Sequence, residues 1–134
     1  MVFLDTNIFL YVVSRAEADQ SHKQIAQRLI AESDFGISVQ ILQEFMDVTL
    51  RKRQLGLSIE EITGMVNYMA TYPVVETSVA LARRAFDMKN RFQIRYWDAA
   101  IIAAAHELGC HTLYSEDFNF GQNYDGVRVV NPFL

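Results

Sequence analysis

Short runs of large apolar residues alternate along the chain with longer segments in which apolar residues recur every three or four positions. The first run, Val2-Phe3-Leu4, has no polar break and ends at Asp5. Such a run fits a strand covered on both faces, as in a parallel sheet, better than a half-solvated one. Segments 35–39, 74–76, 111–114 and 126–130 read as four further strands. Helical spacing is found over 8–14, with Asn7 as its cap, and over 21–33, 40–55, 58–72, 77–91 and 96–108. The 40–55 helix places Ile41, Leu42, Phe45, Val48 and Thr49 inward, and Gly56 stops it. Ser58 and Glu61 form a Ser-x-x-Glu capping box, and Pro73 ends that helix. Thr77 or Ser78 caps the next, with Val79, Ala82, Ala85, Phe86 and Met88 expected inward. The last helix carries Ala99, Ala100, Ala103, Ala104 and Ala105, which allow close approach to a sheet, and Gly109 stops it. Residues 16–20 read as a turn and 115–125 as a loop without elements. This order predicts one α/β domain over residues 1–134: a five-stranded parallel sheet between helical layers, its strand ends gathered on one edge.

Composition narrows what such a domain does. The chain is 51% hydrophobic and 21% charged, enough apolar residue for a real core. Mean hydropathy is +0.05, yet no apolar run reaches membrane-spanning length, and the start lacks the basic and apolar regions of a signal peptide. A lone cysteine, Cys110, excludes an internal disulfide and points to a reducing cytoplasm. The net charge of −4 excludes a protein that coats nucleic acid through bulk positive charge, though not a nucleic-acid enzyme.

Four acids change the picture further. Asp5 follows the first strand and Asp117 the fourth, where open α/β sheets place their active-site crevice. Glu44 lies three residues after Ile41 and four before Val48, on or beside a buried stripe. Asp98 occupies the first turn of the Ala-rich helix, in line with Ile101, Ile102 and Ala105. Three of them have an ordinary structural explanation taken alone. Asp98 suits a helix N-terminus, Asp117 a turn, and Glu44 a pair with Arg51. Asp5 has no such explanation. Acids held against apolar surface require neutralisation, and an all-oxygen set suits Mg²⁺ or Mn²⁺, which promotes phosphoester hydrolysis.

The motifs Phe3-Leu4-Asp5-Thr6-Asn7, Gln43-Glu44-Phe45, Tyr96-Trp97-Asp98-Ala99-Ala100 and Tyr114-Ser115-Glu116-Asp117-Phe118 occur in this order across the chain. Together with the closing Val129-Val130-Asn131-Pro132-Phe133, they resemble the PIN-domain family, and within it the VapC-type toxins of toxin–antitoxin pairs. The resemblance implies a metal-dependent endoribonuclease with Asp5, Glu44, Asp98 and Asp117 as its acidic ligands. It implies supporting roles for Thr6, Asn7, which would orient Asp5 or a bound water, and Ser115, where the family often has Thr. It further implies RNA as substrate, a cognate antitoxin and a homodimer. Glu116 receives no role.

Lys89, Arg91 and Arg95 precede Asp98 and are candidates for steering an RNA backbone, or equally for complementing a helix end. Tyr96 and Trp97 fit base stacking or, more readily, packing. His22, His106 and His111 show no ligand spacing. Three other classes compete with this reading. A catalytically silent scaffold of the same fold would bind a partner without cleaving. A phospho-acceptor receiver domain would need an acidic pair and a Lys after a late strand, and neither is present. A haloacid-dehalogenase-type phosphatase would need Asp at position 7, where Asn7 stands.

Overall fold

The computed structural model describes residues 1–119 and 121–134. The chain starts in the middle of its sheet. Strand β1 (Val2–Leu4) pairs in parallel with β2 (Phe35–Ser38) on one side and β4 (Thr112–Tyr114) on the other. Strand β3 (Val74–Val75) extends the β2 side, and β6 (Val127–Val130) extends the β4 side, both in parallel. A short β5 (Asn123–Tyr124) closes that edge antiparallel to β6. The order is therefore β3-β2-β1-β4-β6-β5. Phe3, Leu4, Phe35, Ile37, Leu113 and Val129 are fully buried, as unbroken apolar strands under helices should be.

Among the described residues, six α-helices connect and flank these strands. They are α1 (Thr6–Val13), α2 (Gln20–Glu32), α3 (Val39–Arg51), α4 (Ile59–Met69), α5 (Val79–Phe92) and α6 (Tyr96–Glu107). Side-chain caps set where most begin. Ser38 accepts from the Ile41 N–H to start α3, and Ser78 from the Leu81 N–H to start α5. Ser58 and Glu61 make both bonds of the expected capping box on α4. Helix α6 buries Ala99 through Ala105 against the sheet and α5. Gly36 permits the closeness: a Cβ there would run into Leu108 and the carbonyl of Pro73. Among the described residues, no helix is long and apolar enough to cross a membrane.

The structure departs from the sequence expectation in four places. Helix α3 ends at Arg51, short of the expected 55, and Gly56, with φ of 67°, closes instead a separate 3-10 turn over Arg53–Leu55. The sheet gains a sixth strand, β5, inside the segment expected to be a plain loop (residue 120 of that loop lies outside the described residues). Asp125 and Gly126 have φ of 55° and 95°, the two positive angles of a tight hairpin turn, and the Asn123 side chain accepts from the Gly126 N–H. The Asp-Gly pair between β-formers was the available signal. Helix α1 starts earlier, at Thr6, and Asp5 rather than Asn7 caps it. Helix α5 buries Leu81, Ala85 and Met88, while Val79 and Phe86, expected inward, are exposed along with Ala82. This helix carries two apolar stripes, and the Ala face of α6 packs on the one that holds Leu81 and Ala85.

Candidate active site

The chain leaves β1 for β2 on one side, and later adds β4 on the other. Successive crossovers thus diverge at the β1–β4 boundary, and the backbone parts there beyond the strand ends. In open α/β sheets this switch point is where a crevice forms. A cavity of about 500 Å³ lies there, and Asp5, Glu44, Asp98 and Asp117 all line it. Each comes from a different element: the end of β1, the inner half of α3, the first turn of α6 and the segment after β4.

Neighbouring polar groups fix three of the four carboxylates. Asp5 is buried, accepting from the Thr6 N–H at 2.7 Å and from the Ser115 hydroxyl at 2.6 Å. Glu44 accepts from the Thr6 hydroxyl at 2.7 Å and from the Gln40 amide at 2.9 Å. Asp117 accepts from the Asn7 amide at 3.0 Å, and its own N–H donates to Ser115 Oγ at 3.1 Å. Ser115 is fully buried, so its hydroxyl ties β1 to the segment after β4. Asn7 therefore steadies Asp117 and not Asp5. Gln40 was absent from the sequence reading. Its place one helical turn before Glu44 was the signal, and its amide also donates to the Trp97 carbonyl at 3.1 Å.

Crowded carboxylates in a half-enclosed site resist ionisation. Burial pushes the Asp5 carboxyl up from 3.8 to about 7; its two donors oppose the shift, and Glu44 and Asp117 add to it. Burial also raises Asp98, against the pull of Arg95, with Asp117 and Glu44 contributing. Arg95 and Arg51 are the cations on the cavity wall, and Arg51 is engaged with Asp47 at 3.1 Å. Lys89 and Arg91 do not line it. Arg91 pairs instead with Asp125 at 3.4 Å.

These residues fit a hydrated divalent cation. The donors are hard oxygens, the buried charge of Asp5 has too few cations near it, and Asn7 Oδ1 is buried with no hydrogen-bond partner. Among the described residues no three acidic, His or Cys side chains already close on one point. An ion that keeps several waters, as Mg²⁺ does, spans such a gap.

Glu116 is turned away from the cavity centre. The Tyr11 hydroxyl lies 2.9 and 3.0 Å from its two oxygens, and the Tyr11 ring packs edge-on against His22 and Phe133. Burial and Glu116 push the Tyr11 hydroxyl up to about 12, so it stays a donor.

The fold is shared with solved structures. One is a toxin–antitoxin complex from Klebsiella pneumoniae, with 20% identity, a TM-score of 0.68 and 98% of each chain covered. Another is the Mycobacterium tuberculosis toxin VapC20, described as cleaving the sarcin–ricin loop, with 21% identity, a TM-score of 0.70, and 96% of this chain and 99% of that one covered. A third is VapBC2 from Rickettsia felis bound to a promoter DNA fragment, with 17% identity, a TM-score of 0.65 and 98% of each chain covered. No curated protein sequence matches the chain. The PIN domain family model matches residues 2–125, nearly the whole length. The chain belongs to the PIN-domain family.

Proposed function

We propose that this PIN domain is a Mg²⁺- or Mn²⁺-dependent endoribonuclease acting as the toxin of a toxin–antitoxin pair. The observation that carries the reading is the convergence of Asp5, Glu44, Asp98 and Asp117, from four elements, on one cavity at the switch point of the sheet. The toxin–antitoxin proteins that share its fold support RNA as substrate and a cognate antitoxin as partner.

The four carboxylates would hold the cation. When bound, such an ion draws a nucleophile from water at neutral pH and offsets charge on the phosphate and the leaving 3′-oxygen. The protein's own groups do the positioning. The Ser115 hydroxyl and the Thr6 N–H favour the anion of Asp5 and offset part of the cost of its burial. Thr6 and Gln40 fix both oxygens of Glu44, so one hydroxyl and one amide set its rotamer. Arg95, on the cavity wall, is placed to hold the phosphate. Among the described residues no histidine lines the cavity, so the reading has no imidazole general base.

The test is cleavage of a total RNA pool by wild type and Asp5→Asn, with Mg²⁺ or Mn²⁺ and with chelator. Cleavage by wild type alone, abolished by chelator, is the expected result. Equal cleavage by both proteins would sink the mechanism. No cleavage by wild type would favour a binding scaffold of the same fold.

A further inference from the structure

Beside the acidic cavity lies a second depression of about 340 Å³, and Glu44, Asp47, Arg95 and Trp97 line both, Asp47 being paired with Arg51. Trp97 precedes Asp98 in the chain and is 59% exposed, although a large aromatic ring gains from burial. Its position is nonetheless fixed. The Gln40 amide donates to its carbonyl, and Tyr96 packs edge-on against its ring at 5.0 Å between centroids. A held, exposed indole at the rim of a phosphate-cleaving centre has the properties of a stacking platform: a π-face at low entropic cost. Gln43 extends from α3 into the same depression, exposed and without a hydrogen-bond partner among the described residues. A free amide presents both a donor and an acceptor to a base edge. Arg95 stands between the two spaces, within reach of a backbone phosphate that passes from one to the other.

We infer that this depression is a nucleobase subsite. A base next to the cleaved bond stacks on Trp97, Gln43 hydrogen-bonds its edge, and Arg95 holds the phosphate between that base and the acids. The inference rests on the reading of the acidic cavity as an RNA-cleaving centre, and it names what that centre grips. The ligand class is single-stranded RNA with an unstacked base, since a paired base offers no free face. Trp97 is a substrate-binding residue and not a member of the cleavage machinery.

Trp97 is the only tryptophan in the chain, so the intrinsic fluorescence reports on this subsite alone. The experiment titrates short single-stranded RNA of mixed sequence into full-length Asp5→Asn protein with Mg²⁺. Tryptophan emission and the anisotropy of a fluorescein-labelled copy of the RNA are read in parallel. The expected result is quenching of Trp97 in step with the anisotropy rise. Trp97→Ala weakens binding roughly ten-fold, the size of one base–aromatic stack, and Trp97→Phe restores most of it. In the otherwise wild-type protein, Trp97→Ala raises KM for RNA and leaves kcat nearly unchanged. RNA binding with Trp97 emission unmoved, or with Trp97→Ala as tight as its parent, overturns the subsite and leaves the cleavage reading standing. Emission that shifts red on dilution of the free protein, and ignores RNA, places Trp97 under a second copy of the chain and overturns it too. No RNA binding, with no cleavage by wild type, removes both readings together.

Discussion

Asp5 performs three tasks with two oxygens, and they conflict. It caps α1, accepts the Ser115 hydroxyl and faces the shared cavity. Its folded pKa of about 7 lies above its unfolded value of 3.8, so the folded protein holds a proton that the unfolded chain releases. That contribution to stability is fully present below about pH 4 and is lost as pH rises towards 7; Asp98, raised for the same reason, adds to the trend. Without metal, the protein therefore melts at progressively lower temperature between pH 4 and pH 7. Asp5→Asn keeps a capping side chain, removes the buried charge, flattens that slope and raises the melting point at pH 8. A melting point that falls in Asp5→Asn at pH 8, measured by circular dichroism in chelator, would contradict this. The acids themselves were legible in the sequence because each follows or flanks an apolar element. Their supporting bonds were only partly so. That Thr6 serves Glu44, and that Asn7 serves Asp117, depends on rotamers set across 38 and 110 residues of chain.

Among the elements, what could be read depended on whether the signal was local. The Ser58–Glu61 capping box, the Ser78 cap and the glycine stop at Gly109, with φ of 74°, are all local chemistry and all appear where expected. Helix α5 was misread because its two apolar stripes are equivalent within the helix, and only packing on α6 selects Leu81 and Ala85. The end of α5 is locally strained: Gln93 adopts φ of 54°, and its side chain donates to the Asn90 carbonyl. Left-handed geometry costs a residue with a Cβ what glycine does not pay. Gln93→Gly should stabilise the protein by about 0.5–1 kcal/mol in urea unfolding, the usual gain at such a helix end. A loss of stability would show that the Gln93–Asn90 bond outweighs the backbone relief.

The whole molecule presents two surfaces with different demands. The strand-end edge gathers acids in a protein already at −4, so the proposed RNA substrate would have to be held by a few well-placed cations and by the proposed metal. The opposite requirement is seen on α5, where Val79 and Phe86 are 70% and 59% exposed at one helical stripe with Ala82. The homodimer expected from the family resemblance would place this stripe at its interface. Phe86→Glu should yield a monomer in sedimentation velocity, while the wild type sediments as a dimer. A wild-type monomer, or an unaffected dimer, would remove α5 from the interface. The fold class was legible at this scale because alternation of apolar strands and helices leaves few architectures, while the strand order came only from the structure. The antiparallel β5 edge was missed because two residues carry no periodicity, although their Asp125-Gly126 turn did.

The central claim is that Asp5, Glu44, Asp98 and Asp117 act together as one cation site. Mn²⁺ binding, followed by electron paramagnetic resonance, tests it without requiring a known RNA. Wild type and the variants Asp5→Asn, Glu44→Gln, Asp98→Asn and Asp117→Asn are compared at pH 7.5, with folding checked by circular dichroism. The account predicts saturable binding by wild type and a loss of roughly ten-fold or more in affinity in each variant, as for removal of a ligand or its close support. Wild type that binds no Mn²⁺, or four folded variants that bind it as tightly as wild type, would contradict it.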